Sequence, residues 1–250
     1  MKSKQSGFTL VEIAIVLVIV GLLLGGVLKG QELITSGKAK ALFADKAAIQ
    51  TAYNTYNDRF RAIPGDDNAA NTRFSGLACG VAGAGTGVGS AAGLTCLNGN
   101  GDGIVLNTAQ PARFNAATAV ANGNSNEAFK FWQHLRAAQL IKTEGSGTGE
   151  AFVQPTNATG GWTAINSTAP FIGQQPSTLF FTQYAVPLNI AGALDAANDD
   201  GFTNRGGIRA EANGTTAAPN SDAAGNAYVT RTAAPAFANG VPVAVSTNLL

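Results

Sequence analysis

The sequence predicts an α+β fold: a long N-terminal helix, membrane anchor in its first half and amphipathic in its second, packed on a small antiparallel sheet with one extra helix and long loops. Three observations predict it. Phe8 to Leu28 is a run of 21 residues in which only Thr9 and Glu12 are strongly polar, and an apolar stripe continues beyond it to about Arg61. Asn124 to Ile141 repeats the helical period over a shorter span. After Gly145, short β-prone segments alternate with turn residues, the best of them Leu179 to Val186.

Composition narrows the function. The 250 residues carry 16 Lys plus Arg against 15 Asp plus Glu, a net charge of +1, which gives no electrostatic reason for nucleic acid as the main partner. With two Cys and one His, His/Cys-rich metal sites are ruled out, and Ser-His or Cys-His catalysis would have to run through His134. Residues 1–61 hold eight basic and four acidic side chains, the remainder eight and eleven. The chain is a basic stem carrying a mildly acidic head.

The apolar run spans roughly 31 Å as a helix, enough to cross a bilayer. Lys2 and Lys4 before it hold the N-terminus in the cytoplasm, so the chain after Lys29 is expected on the far side. Val27-Leu28-Lys29-Gly30-Gln31-Glu32 contains no small-residue cleavage site, so the anchor is expected to stay. Glu12 is the anomaly. An acid in a membrane helix costs about 2.5 to 3.5 kcal/mol near the bilayer centre and less near its edge, so it calls for a partner.

Gly7-Phe8-Thr9-Leu10-Val11-Glu12, behind a basic leader and ahead of the apolar run, resembles the processing motif of type IV prepilins and type II secretion pseudopilins. The resemblance implies that a prepilin peptidase removes residues 1–7 and methylates the new N-terminal Phe8. It implies that Glu12 neutralises the N-terminal amine of an adjacent subunit, two charges costly in hydrocarbon becoming one pair. The implied partners are other pilin or pseudopilin subunits, the prepilin peptidase and the inner membrane. The implied location is the inner membrane before assembly, head in the periplasm, and then a periplasmic or surface filament. Many major pilins carry Pro where this chain has Lys29; Gly25, Gly26 and Gly30 stand nearby instead. That departure fits a minor pilin or pseudopilin better than a major pilin.

The helix is expected over 8–61, with 8–28 in the membrane and a loop-rich head over 62–250. Leu42, Ile49, Tyr53, Tyr56 and Phe60 recur at helical spacing, and Ile63-Pro64-Gly65 ends the run. The glycine run from Gly80 to Gly89 lacks the Gly-Lys-Ser/Thr of a phosphate loop. Cys79 and Cys96 bracket it, and in an oxidising compartment they are expected to form a disulfide worth roughly 3 kcal/mol, the alternative being a free thiol pair. Asn98, Asn100 and Asp102, with Gly103 and Ile104, resemble half of a calcium loop; a Gly/Asn turn is the other reading.

Asn124 and Glu127 are spaced as a capping box, and Ala128, Phe131, Trp132, Leu135 and Ala138 form the stripe of the extra helix, with His134 off it as a solvated residue. Strands are expected at Ala151 to Val153, Trp162 to Ile165, Thr178 to Val186 and Gly206 to Arg209. The stretch Leu194 to Phe202 reads as an acidic loop, similar to the late loop of many pilin-like heads, in which Asp195, Asp199 and Asp200 would hold calcium or only water. Beyond Ala212 the chain reads as a sheet edge or a partly disordered tail, with some bulk at Val241 to Val245. The Asn-x-Thr/Ser triplets at Asn157 and Asn213 read as chance.

The expected function is a structural, non-enzymatic subunit. The rival is a membrane-tethered binding protein or a carboxylate- or metal-dependent hydrolase with a pilin-like anchor, using Asp66 and Asp67 or the Asp195 to Asp200 cluster. No cofactor is required; calcium is the one ligand the loops suggest.

Overall fold

A computed structural model describes residues 10–74, 96–105, 126–142, 153–167, 179–201, 206–212 and 242–249. One 51-residue helix, α1 (Leu10–Phe60), runs out of the head. None of Leu10 to Lys38 is buried; burial begins at Ala39 and continues through Leu42, Ile49, Ala52, Tyr53 and Tyr56. The bare part is about 43 Å long against roughly 30 Å of hydrocarbon. Arg61, left-handed at φ 53°, and Pro64 two residues after Ala62 stop the helix where the stripe stops.

After a one-turn α2 (Ala70–Arg73) come α3 (Glu127–Ala137), β1 (Thr163–Asn166), β2 (Phe180–Pro187), α4 (Leu188–Asn198), β3 (Ile208–Ala212) and β4 (Pro242–Asn248). The four strands form one antiparallel sheet in the order β1-β2-β4-β3. Alternation sends Ile165, Phe181, Gln183 and Val245 toward α1, and the Gln183 amide donates to the Leu42 carbonyl at 3.2 Å. A bulge in β2 between Gln183 and Val186 puts Ala185 at φ 55°. Two apolar clusters result. One joins Ile49, Tyr53 and Tyr56 to α3 and the start of β2; the other joins Ala39 and Leu42 to α4, β3 and the far end of β2 and β4.

Four expectations need correction. The extra helix begins at Glu127, capped by a left-handed Asn126 that makes no side-chain cap bond, and Asn124 of the supposed capping box lies outside the described residues. Leu188–Asn198 is a helix, so Asp195 sits on α4 and not in a loop. Val153 is not in a strand, and Ala151 lies outside the described residues. The C-terminal β4 is an interior strand between β2 and β3, so 242–248 is neither edge nor tail, while 213–241 lies outside the described residues. Asn157 is buried, its amide donating to the Tyr184 carbonyl at 2.8 Å, which leaves no room for a glycan there.

Candidate functional site: the bare helix and the gripped loop

Glu12 lies in the first turn of α1, where a carboxylate also favours the helix dipole. Gly7 and Phe8 lie outside the described residues. Around Glu12 the helix presents large apolar side chains on every side, from Leu10 at 91% exposure through Ile34 at 62%, with a local Lys29–Glu32 pair at 2.7 Å among them. An 18-residue stretch of it is long and apolar enough to cross a membrane and holds no buried residue. A surface of this kind is stable only in lipid or against other helices.

The second arrangement is a backbone grip. One face of α3 reads residues 97–100 like a comb. Gln133 Oε1 accepts the Leu97 N–H at 2.9 Å, His134 Nε2 donates to the Leu97 carbonyl at 2.7 Å, Lys130 Nζ donates to the Asn98 carbonyl at 2.9 Å, and Glu127 Oε1 accepts the Asn100 N–H at 3.1 Å. From the other side, the Asp66 carboxylate accepts the N–H groups of Gly101, Asp102 and Gly103 at 2.6, 3.1 and 2.8 Å. Gly99 passes so close that a Cβ would overlap the Asp66 backbone.

His134 is therefore the opposite of the solvated residue expected. It is fully buried, stacked on Tyr56 at 6.1 Å, and its Nδ1 accepts the Gly65 N–H at 2.8 Å. The Gly65 N–H donor at Nδ1 and the Leu97 carbonyl acceptor at Nε2 fix the neutral Nε2–H tautomer. Burial holds its pKa down to about 4, against the opposing pull of the Leu97 carbonyl and Asp67. Burial likewise lowers Lys130 to about 8, opposed by Glu127 and Asp66, and raises Asp66 despite its amide bonds. Asp67 is buried and accepts from Tyr56 Oη at 2.7 Å, the Ala69 N–H at 2.9 Å and Arg73.

The calcium-like loop is thus ordered by protein groups. Asn98 Oδ1 accepts the Asn71 N–H at 2.8 Å, the Asn100 amide donates to Asp102 at 2.7 Å, and Asp102 Oδ1 accepts the Ile104 N–H at 2.9 Å. Asp66, Asp102 and Glu127 bring carboxylate oxygens within 4.8 Å of one another, and the charges of Glu127 and Asp66 favour the protonated form of Lys130. The acidic corner is built differently. Asp195, Asp199 and Asp200 also bring oxygens within 4.8 Å, a hard-oxygen set of the type calcium takes. One oxygen of Asp199 accepts the Ile208 N–H at 2.8 Å, and a side chain on Gly206, at φ 84°, would overlap it.

Cys96 is buried in the first cluster, and no cysteine among the described residues is free; Cys79 lies outside them. Sequence reasoning named Asp102 as a calcium candidate and Asp66 as a candidate hydrolase acid, but missed that Asp66, Glu127, Lys130, Gln133 and His134 hold the backbone of residues 97–103. Glu127, Lys130 and Gln133 stand three apart along α3, a visible signal, but the sequence takes Glu127 for a capping residue and His134 for a solvated one.

The chain thus joins a bare apolar helix, with one acid near its start, to an α+β head. Residues 2–28 match the model of the prokaryotic N-terminal methylation motif, the signature of type IV pilins and pseudopilins. No curated protein and no solved structure matches the chain.

Proposed function

We propose that this chain is a minor pilin or pseudopilin, cut after Gly7, methylated on Phe8 and assembled through Glu12. The carrying observation is the methylation motif at 2–28 continuing into a helix with no buried residue before Ala39. Residues 1–7 are the leader, 8–28 the span and 62–250 the extracytoplasmic head, closed by a Cys79–Cys96 disulfide. In the filament core Glu12 meets the amine of Phe8 on the next subunit, relieving two charges that hydrocarbon penalises. Glycines at 25, 26 and 30, in place of a proline at Lys29, support the minor or pseudopilin reading.

The hydrolase reading draws no support from Asp66 and Asp67. Their oxygens accept hydrogen bonds that hold the loop, Tyr56 and Arg73 in place. The test is Glu12→Ala in the full chain. The variant should be processed and folded, and should remain in the membrane without entering polymer; normal polymer from Glu12→Ala refutes the assembly role.

A further inference from the structure

At the C-terminal end of α1, away from its bare half, lies a cleft of about 410 Å³, between the last turn of α1, α2 and the end of α3. Two guanidiniums line it. Arg59 and Arg73 lie 5.1 and 6.0 Å from the centre of the same Phe60 ring, and Phe74 meets that ring edge-on at 5.3 Å. Arg73 is held by the buried Asp67 carboxylate. Arg59 is exposed and donates a long bond of 3.4 Å to the Ala138 carbonyl. Among the described residues it has no carboxylate within ion-pair distance. A guanidinium set against an aromatic wall in an open cleft is complementary to a carboxylate from outside the chain.

The complementary surface lies at the other end of the same head. Asp199 and Asp200 are exposed, and their corner is tied through Ile208 to the cluster that holds Ala39 and Leu42. About 25 Å of helix separates Leu42 from Arg59. Basic cleft and acidic corner therefore sit at opposite ends of the buried half of α1. A filament of parallel helices, each offset along the axis from the last, is a head-to-tail assembly in which unlike surfaces must meet.

Resting on the pseudopilin form of that reading, in which copies of this chain follow one another, the geometry points to a contact in which the Arg59 cleft of one copy receives the Asp199–Asp200 corner of the next copy. The contact sets register between heads as Glu12 does between helices, by matching one charge to another.

Charge exchange in the full chain tests it, scored as sedimenting polymer from sheared cells and detergent-solubilised membranes, with chelator present so that no cation screens the corner. Arg59→Glu and Asp200→Lys should each lower polymer about tenfold or more, since like charges then face each other. Arg59→Gln should fall between Arg59→Glu and the parent. The double variant should recover most of the loss. Melting of each purified variant in detergent confirms that the head is folded. Single variants that polymerise like the parent, or a double variant as poor as the singles, overturn the contact alone. A parent chain that never polymerises overturns the assembly reading and the contact with it.

Discussion

Replacing His134 by glutamine isolates the energy stored in the grip on residues 97–103. Glutamine can still accept from Gly65 and donate toward Leu97, but it does not titrate. The imidazole is fully buried with a pKa held down to about 4, against an ordinary 6.5. Between those values the unfolded chain binds a proton that the folded chain refuses, so stability falls as pH falls. The shift corresponds to about 3 kcal/mol, fully present above pH ~6.5 and lost by pH ~4. The groups facing the ring act in both directions: Asp67 favours the proton, Lys130 and Arg73 oppose it. Asp66 and Asp45, raised by burial, titrate with the opposite slope, but they are common to both proteins and cancel in the difference. The assay is urea unfolding of the full chain in detergent at pH 4 to 7, followed by fluorescence of the buried Trp132. The stability difference between parent and His134→Gln should shift by about 3 kcal/mol across that range, in favour of the variant at low pH. A difference independent of pH refutes the assignment of His134 as the buried neutral clamp.

Other perturbations follow from the same geometry. Tyr56→Phe removes the 2.7 Å bond to buried Asp67 and should cost about 1 to 3 kcal/mol in urea unfolding. Gly99→Ala places a methyl group against the Asp66 backbone and should cost about 2 kcal/mol or more, with a lowered melting temperature. Lys130, lowered to about 8, is protonated in the unfolded chain over a range where the folded chain has released its proton. Stability should therefore rise between pH ~8 and ~10.5, and Lys130→Met should abolish that rise. Because the Asp66 carboxylate is already taken up by the Gly101, Asp102 and Gly103 N–H groups and Asp102 Oδ1 by the Ile104 N–H, Asp102→Asn should leave any calcium dependence of the melting temperature unchanged.

The sequence spelled out α1 because both of its halves have local signatures: unbroken apolar length for the membrane, then Leu42, Ile49, Tyr53 and Tyr56 at helical spacing for the head. It also marked β2 as the best strand, through aromatic and β-prone residues, and Phe180 and Phe181 leave both its faces apolar and buried. It misjudged β4, whose Ala244 and Ser246 are small because both faces of an interior strand are covered. The largest miss was the polar side of α3. Glu127, Lys130, Gln133 and His134 have the periodicity of a face turned to water, yet every residue from Glu127 to Arg136 is buried. Periodicity records polarity and not what satisfies it, so a face that binds another loop's backbone looks the same as a solvated one. The short run Leu188, Ile190, Ala191 and Leu194 was overlooked as a helix for a related reason. Its spacing gives barely two turns of pattern, and the acids after it suggested a loop.

The central claim is that the bare helix is a processed assembly element. The most direct measurement is the intact mass of the chain recovered from sheared filaments and from the membrane fraction of the same cells. The account predicts a species beginning at Phe8 and one methyl heavier than its unmodified sequence, present in polymer and absent from polymer in Glu12→Ala. A chain that keeps Met1 to Gly7 in both fractions would contradict it.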